Sequence, residues 1–525
     1  MISNLNKILN KKVFFILLFC FFFLILCTKY FAIHLHFFLG GLPLSIDEAQ
    51  YFSWSQELDF GYFSKPPFIA WVLNLNTFFL GSNYGVEVRN LQPLAFAFSS
   101  IFVGFSAFEI TKRTSTSLWA VFLFFLLPVS SFYSQFATTD AWLLFFWSTS
   151  LYFFIKAIKT DNTVWWVVCG IAVGLGLLTK YSMSFFLISS FLFLYSRRRV
   201  FYKKPWISFL VSLVIFSPNI FWNIKQKFPT LKHHAEMTNV NNSLLFDLQS
   251  LMEFFLGQFI VFGPLIFFLF LCVSTYTLVQ SLLPKKDIKE QDFYPTYFVL
   301  PIFFSWPLLI SILLLSFFGE TEINWAAPAG IGICLTITSF INQYRFKNNE
   351  TICKIFKFIF SLSILIHLVF LICFISGPKL FKYSKFDNNP NINPYLQVSG
   401  YECLVDKVNG LIQNQNNLIL VADDRGILAN LANIKSNSKL RSWKKSTHNR
   451  HHWDLKYPLL KKDFDKNLLL IKKISSLELN KIDELTKELR LHFDNIKKID
   501  DPELDNIILQ GKKNQHVVLF WVNKK

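Results

Sequence analysis

Runs of about 20 mostly apolar residues recur between Val13 and Ile375, and they constrain this chain more than any other feature. Such a run crosses a bilayer as a helix, because lipid offers backbone amides and carbonyls no partner outside the segment. Spans are predicted at about 13–32, 91–110, 117–136, 140–158, 163–179, 182–196, 206–223, 254–280, 295–318, 325–343 and 356–376. That makes about 11, and about 13 if some runs are split or re-entrant. Val13 to Cys27 is long for a secretory h-region, and no small-residue cleavage site comes after it, so it reads as an uncleaved first span. Lys29 is expected to snorkel to the outer headgroups.

The loops set an orientation. Basic residues fall at Lys112-Arg113, at Lys156 and Lys159, at Arg197 to Arg199 with Lys203-Lys204, at Lys285-Lys286, and at Arg345, Lys347 and Lys354. Each lies on the N-terminal side, as the positive-inside rule requires. The N-terminus is then cytoplasmic. The loop carrying Asp47, the residue Asp140, the loop 224–253, the segment Gly319 to Glu322 and the tail after Gly377-Pro378 are outside. The net charge of +18 is largely this loop bias, so nucleic-acid binding does not follow from it. Most of the eight Cys sit in apolar runs and none forms a CxxC pair, so no disulfide framework is expected.

After Gly377-Pro378 the composition becomes polar. Asn417–Ala422, Asn467–Ile471 and Val517–Val522 read as buried strands, and Lys481–Leu491 has helical periodicity. The expected fold class is a polytopic α-helical membrane protein of about 11–13 transmembrane helices with a C-terminal soluble α/β domain. Residues 1–377 form the membrane domain, with outer loops at 35–89 and 224–253, and residues 378–525 form the α/β domain.

Residues 46–71, IDEAQYFSWSQELDFGYFSKPPFIAW, are the exception in the first part of the chain. Two acids and a Pro-Pro pair forbid a span there. Amphipathic helices on the outer surface are expected, with Tyr51, Trp54, Tyr62 and Trp71 at the interface. Asp47 and Glu48 fit either a functional site or a helix cap supplied by Ser45 or Asp47. Lys65, Arg89 and Lys180 are cations at outer span ends, against the loop rule. A lipid-linked phosphate would suit them, and snorkelling is the alternative. Asp140 begins a span and fits a cap equally well. His233, His234 and Glu236 lack the spacing of a metal motif and read as solvated loop residues.

Asp47-Glu48-Ala49, Trp54-Ser55, Gly61-Tyr62-Phe63 and Lys65-Pro66-Pro67 together resemble the first outer loop of the ArnT-like glycosyltransferases, within the GT-C superfamily that also holds the protein O-mannosyltransferases. Arg89, Thr139-Asp140-Ala141, Gly174 to Tyr181 and Asn324 to Pro328 come next, in family order. The resemblance covers about residues 40–330. It implies transfer of a sugar from a polyprenyl (undecaprenyl) phosphate donor to a lipid acceptor, lipid A or lipopolysaccharide, at the periplasmic face of the bacterial inner membrane. Transfer to protein or another envelope glycan, or flipping of a lipid-linked sugar, are the alternatives. Asp47 and Asp140 match the acidic catalytic positions and are expected to flank one outer cavity. Lys65, Arg89, Lys180 and Tyr181 take the donor phosphate, with Glu48, His233 and His234 as accessory groups. The reading requires no cofactor and leaves room for a divalent metal without assigning its ligands. Family members often carry an acid or His before the Pro-Pro segment, where this chain has Ser64. Asn449 to Leu455 also resembles a segment of related transferases, with no role assigned.

Overall fold

The computed structural model describes residues 2–38, 42–81, 85–237, 247–282, 296–343 and 350–523, apart from 386, 391, 414, 416, 435–437, 445–447 and 513. The predicted basic positions Lys285, Lys286, Arg345 and Lys347 lie outside the described residues, as does part of the 224–253 loop. The chain divides into two compact units. One holds Met1–Ile33, Lys65–Ile69 and Arg89–Ile375; the other holds His34–Ser64, Ala70–Val88 and Ser376–Lys525.

The first unit is a helical bundle. Among the described residues, six helical segments are long and apolar enough to cross a membrane: Lys12–Leu35, Val86–Thr111, Thr139–Thr160, Lys203–Lys225, Val299–Ser316 and Glu350–Lys382. Other predicted spans are shorter or broken helices. The expected 117–136 span stops at Leu126 and restarts as Pro128–Tyr133, because Pro128 has no N–H to continue the ladder. The expected 254–280 span bends by 107° between Val261 and Pro264, where Gly263 takes a φ of +86°. Polytopic α-helical architecture is therefore borne out, with more breaks than hydropathy suggests.

Two local devices hold the bundle together. Gly170 and Gly174 let the helix Thr163–Leu177 press against Lys203–Lys225: a Cβ on Gly170 would come within 2.5 Å of the Ser208 carbonyl oxygen, and one on Gly174 within 2.7 Å of Ile215 Cβ. Glu109 gathers three basic residues, with Lys112 at 2.5 Å, Lys156 at 2.8 Å and Lys159 at 3.8 Å. A carboxylate this enclosed needs such partners, because burial without them would cost more than the charge is worth.

Lys29 corrects an expectation. It does not snorkel: it is 2% exposed. Its ammonium donates to the Ser130 carbonyl at 2.8 Å and the Ser134 hydroxyl at 3.1 Å, and faces the Phe96 and Phe125 rings. The short helix at the Pro128 break puts those acceptors within reach, so the charge is satisfied inside the bundle.

The second unit contains a five-stranded sheet of β1 (Ile419–Ala422), β2 (Lys439–Ser442), β3 (Leu468–Ile474), β4 (Asn495–Lys498) and β5 (His516–Asn523), in the order β2-β1-β3-β5-β4. The pairs β1–β2 and β1–β3 are parallel, whereas β3–β5 and β4–β5 are antiparallel. The three strands read from the sequence are the inner ones. The edge strands β2 and β4 are Lys- and Arg-bearing tetrapeptides that carry no apolar run to read. The expected helix is observed as Leu479–Arg490.

Candidate active site

In the first unit, Asp140 lies in the first turn of the helix Thr139–Thr160. Lys180 Nζ donates to its Oδ1 at 2.8 Å, and Asn324 Nδ2 lies 3.5 Å from Oδ2. The Lys180 and Asp140 side chains are only 13% and 8% exposed. Three of the family motifs thus meet at one carboxylate. The Lys65 motif joins them. Pro66 and Pro67 have no amide hydrogen, and the next N–H, that of Phe68, donates to the Leu178 carbonyl at 3.0 Å. The Phe68 ring packs edge-on to Phe146 at 5.0 Å.

Tyr181 turns toward the helix Lys203–Lys225. Its hydroxyl donates to Asn219 Oδ1 at 2.9 Å and accepts from Asn223 Nδ2 at 3.1 Å. Both asparagines are buried. Sequence reading passes over them, although two amides spaced i, i+4 on an apolar helix are a legible signal. His233 and His234 belong to a helix, Pro229–Met237, and are half-buried, which corrects their reading as solvated loop residues. Burial, with the nearby charges of Lys65, His233 and Lys180, pushes the His234 imidazole down to about 4. His234 is therefore neutral at neutral pH. Arg89 is 1% exposed, and its guanidinium lies over the Phe136 ring at 5.4 Å. It is thus not snorkelling to the surface. Among the described residues, no group of three His, Cys, Asp or Glu side chains is arranged to hold a metal ion.

In the second unit, Ser45 caps the helix Ile46–Ser55. Its hydroxyl accepts from the Glu48 amide and the Glu48 carboxylate accepts from the Ser45 amide, a full capping box. Glu48 is therefore a buried structural acid. Asp47 points elsewhere. It is half-exposed and paired with Arg425, whose Nε also donates to Gln50 Oε1 at 2.9 Å. Tyr51, Trp54 and Tyr62 are not interfacial: all three are buried. Trp54 and Tyr62 stack at 4.5 Å with an interplanar angle of 5°, and His452 closes on them at 5.5 and 5.7 Å. Lys456 bonds Glu57 at 2.7 Å, and the Asn433 amide donates to the Ala49 carbonyl at 3.0 Å. The stretch 46–62 is therefore packed against the C-terminal residues rather than lying on a lipid surface.

The His452 site carries a pH dependence. Burial, reinforced by Lys456, pushes its imidazole down to about 3. In the unfolded chain a histidine titrates near about 6.5. Below that value the unfolded state takes up a proton that the folded state refuses. The stabilisation is complete above pH about 6.5 and declines as pH falls toward 3. We expect the melting temperature to drop between pH 7 and 5, and His452→Phe, which keeps the ring, to remove part of that drop. Superimposable pH dependences for the two proteins would exclude His452 as the cause.

Comparison with known proteins agrees with these observations. The dolichyl-phosphate-mannose-protein mannosyltransferase family matches residues 64–222. The lipid A galacturonosyltransferase RgtD of Rhizobium johnstonii is 31% identical over 286 residues, 54% of this chain and 58% of that protein. The undecaprenyl phosphate-alpha-4-amino-4-deoxy-L-arabinose arabinosyl transferase of Wigglesworthia glossinidia brevipalpis is 28% identical over 147 residues, 26% of this chain and 25% of that one. The chain thus aligns with less than two thirds of these relatives' lengths. In structure it resembles ArnT from Cupriavidus metallidurans bound to undecaprenyl phosphate, with a TM-score of 0.57 and 14% identity over 95% of this chain and 97% of that one. The likeness is one of fold, a polytopic helical bundle with a C-terminal α/β domain. The resemblance to the ArnT-like group of the GT-C superfamily holds in sequence and in fold.

Proposed function

We propose that this protein moves a sugar from a polyprenyl phosphate donor to a lipid acceptor, most plainly lipid A or lipopolysaccharide, at the outer face of the bacterial inner membrane. The observation that carries the reading is the enclosed Lys180–Asp140 pair, which Asn324 also approaches. The activities of the relatives, a lipid A galacturonosyltransferase and an undecaprenyl phosphate-aminoarabinose transferase, suggest the acceptor and donor classes. Polyprenyl phosphate is the leaving group, and negative charge grows on it as the glycosidic bond breaks. Lys180, Lys65 and Arg89 are the cations we assign to that charge. Fixed charges away from bulk water stabilise it without reorganisation at the moment of reaction. A single displacement inverts the anomeric centre. Asp47 takes the proton where the acceptor is a hydroxyl, and orients groups where the acceptor is a phosphate. Asp140 positions Lys180.

The same reading gives residues 1–377 as the transferase domain and residues 378–525 as a periplasmic domain, with the N-terminus cytoplasmic. The basic cluster around Glu109 supports a cytoplasmic assignment for that end of the bundle. The test is mass spectrometry of lipid A and envelope glycans from cells with and without the protein. The expected result is loss of one sugar substituent from lipid A or lipopolysaccharide. Loss confined to glycoprotein would transfer the proposal to a protein acceptor, and unchanged glycans would remove it. In the same cells, a reporter fused after Lys354 should read cytoplasm and one after Lys382 periplasm.

A further inference from the structure

A second recess lies in the first unit, away from the residues assigned to sugar transfer. It is a groove of about 760 Å³ among the helices Ser184–Ser196, Pro264–Leu282, Thr296–Phe303 and Trp306–Ser316. That volume falls in the range of about 300–1,000 Å³ that holds small ligands. Ile188, Leu192 and Ser196, spaced by four along one helix face, form one side, and Leu278, Phe303 and Ile310 contribute to the others.

Two polar features make it more than an apolar gap. Arg197 lines it at the C-terminal end of the helix that begins at Ser184, the end opposite Lys180 and Tyr181. Ser274 also lines it, is 6% exposed, and its hydroxyl has no hydrogen-bond partner among the described residues. A buried hydroxyl facing hydrocarbon is costly unless something accepts from it.

We propose that this groove binds a single anionic glycerophospholipid, with its phosphate on Arg197, its acyl chains along the apolar walls and an ester oxygen accepting from Ser274. The chemistry selects this occupant over the isoprenoid tail of a sugar donor. An isoprenoid chain carries no acceptor for Ser274, and Arg197 stands at the far end of its helix from Lys180. With the N-terminus cytoplasmic, the lipid comes from the cytoplasmic leaflet. The site is independent of the proposed transfer reaction, and none of the residues assigned to transfer lines it.

The test uses the full chain in nanodiscs of mixed phosphatidylcholine and phosphatidylglycerol, read by native mass spectrometry after gentle release. Wild type should retain a single phosphatidylglycerol in preference to phosphatidylcholine. Arg197→Glu should lower that retention about tenfold or more, as loss of a charge-assisted contact does. Leu192→Trp, which fills the groove without touching the charge, should expel both lipids and serves if Arg197→Glu does not fold. Added polyprenyl phosphate should leave the bound phosphatidylglycerol in place. Equal retention by wild type and Arg197→Glu, unaltered retention by Leu192→Trp, or displacement by polyprenyl phosphate would each overturn the proposal.

Discussion

Lys180→Met should lower sugar transfer by about tenfold or more and destabilise the bundle at the same time. Under the proposed function, the first effect is the loss of a charge-assisted contact to the donor phosphate, about 1.5–3 kcal/mol. The second comes from the ion pair. Asp140 Oδ1 lies 2.8 Å from Lys180 Nζ, and both side chains are largely enclosed. Removing one member leaves the other charge without its counter-ion, a change that costs about 3–5 kcal/mol when such a pair is buried. The double variant Asp140→Leu/Lys180→Met separates the two effects. It removes both charges together, so thermal stability in membranes should return toward wild type while transfer stays low. Recovery of both would reduce the pair to a structural bridge. The remaining amide at Asn324, 3.5 Å from Asp140 Oδ2, then has no carboxylate to orient it.

Asp47→Asn should show a kinetic loss whose size depends on the acceptor, and the larger loss of the two variants where the acceptor is a hydroxyl. With a hydroxyl acceptor, removal of a general base lowers the rate by about 10²–10⁴-fold. With a phosphate acceptor no proton has to leave, and only an orienting contact is lost, about tenfold. The measurement is the initial rate of Asp47→Asn against wild type on acceptors of both kinds. Stability should hardly change in either case, because the Asp47–Arg425 pair is exposed, 54% and 41%, and such pairs contribute about 0–1 kcal/mol. Arg425→Ala is the companion variant. It frees Asp47 and Gln50 from their shared guanidinium, so it should impair orientation of the carboxylate without removing it. Full activity in Asp47→Asn would leave the acid with no role beyond the first turn of a helix that Ser45 and Glu48 already cap.

Different parts of this protein are legible in the sequence to different degrees, and particular residues show why. The bundle is visible because burial in lipid demands a run of apolar residues, and a run is a local pattern. The inner strands β1, β3 and β5 are visible because residues on both their faces are buried; the polar edge strands β2 and β4 are not. Helix breaks at Pro128 and Gly263 escape a hydropathy reading, which averages over them. Lys29 reads as a snorkelling residue because its acceptors, Ser130 and Ser134, lie 101 and 105 positions away in sequence.

Composition and spacing are properties of neighbouring residues. They suffice to define a membrane bundle with an α/β tail, and to mark Asp47, Lys65, Arg89, Asp140 and Lys180 as the polar residues to explain. Which charges meet is settled in three dimensions: Lys180 with Asp140 across 40 positions, Arg425 with Asp47 across 378, and His452 against the stacked Trp54 and Tyr62. Those pairings depend on where helices break and how closely they pack. Apolar contacts govern both without direction, so no local pattern records which distant partner each polar group will find.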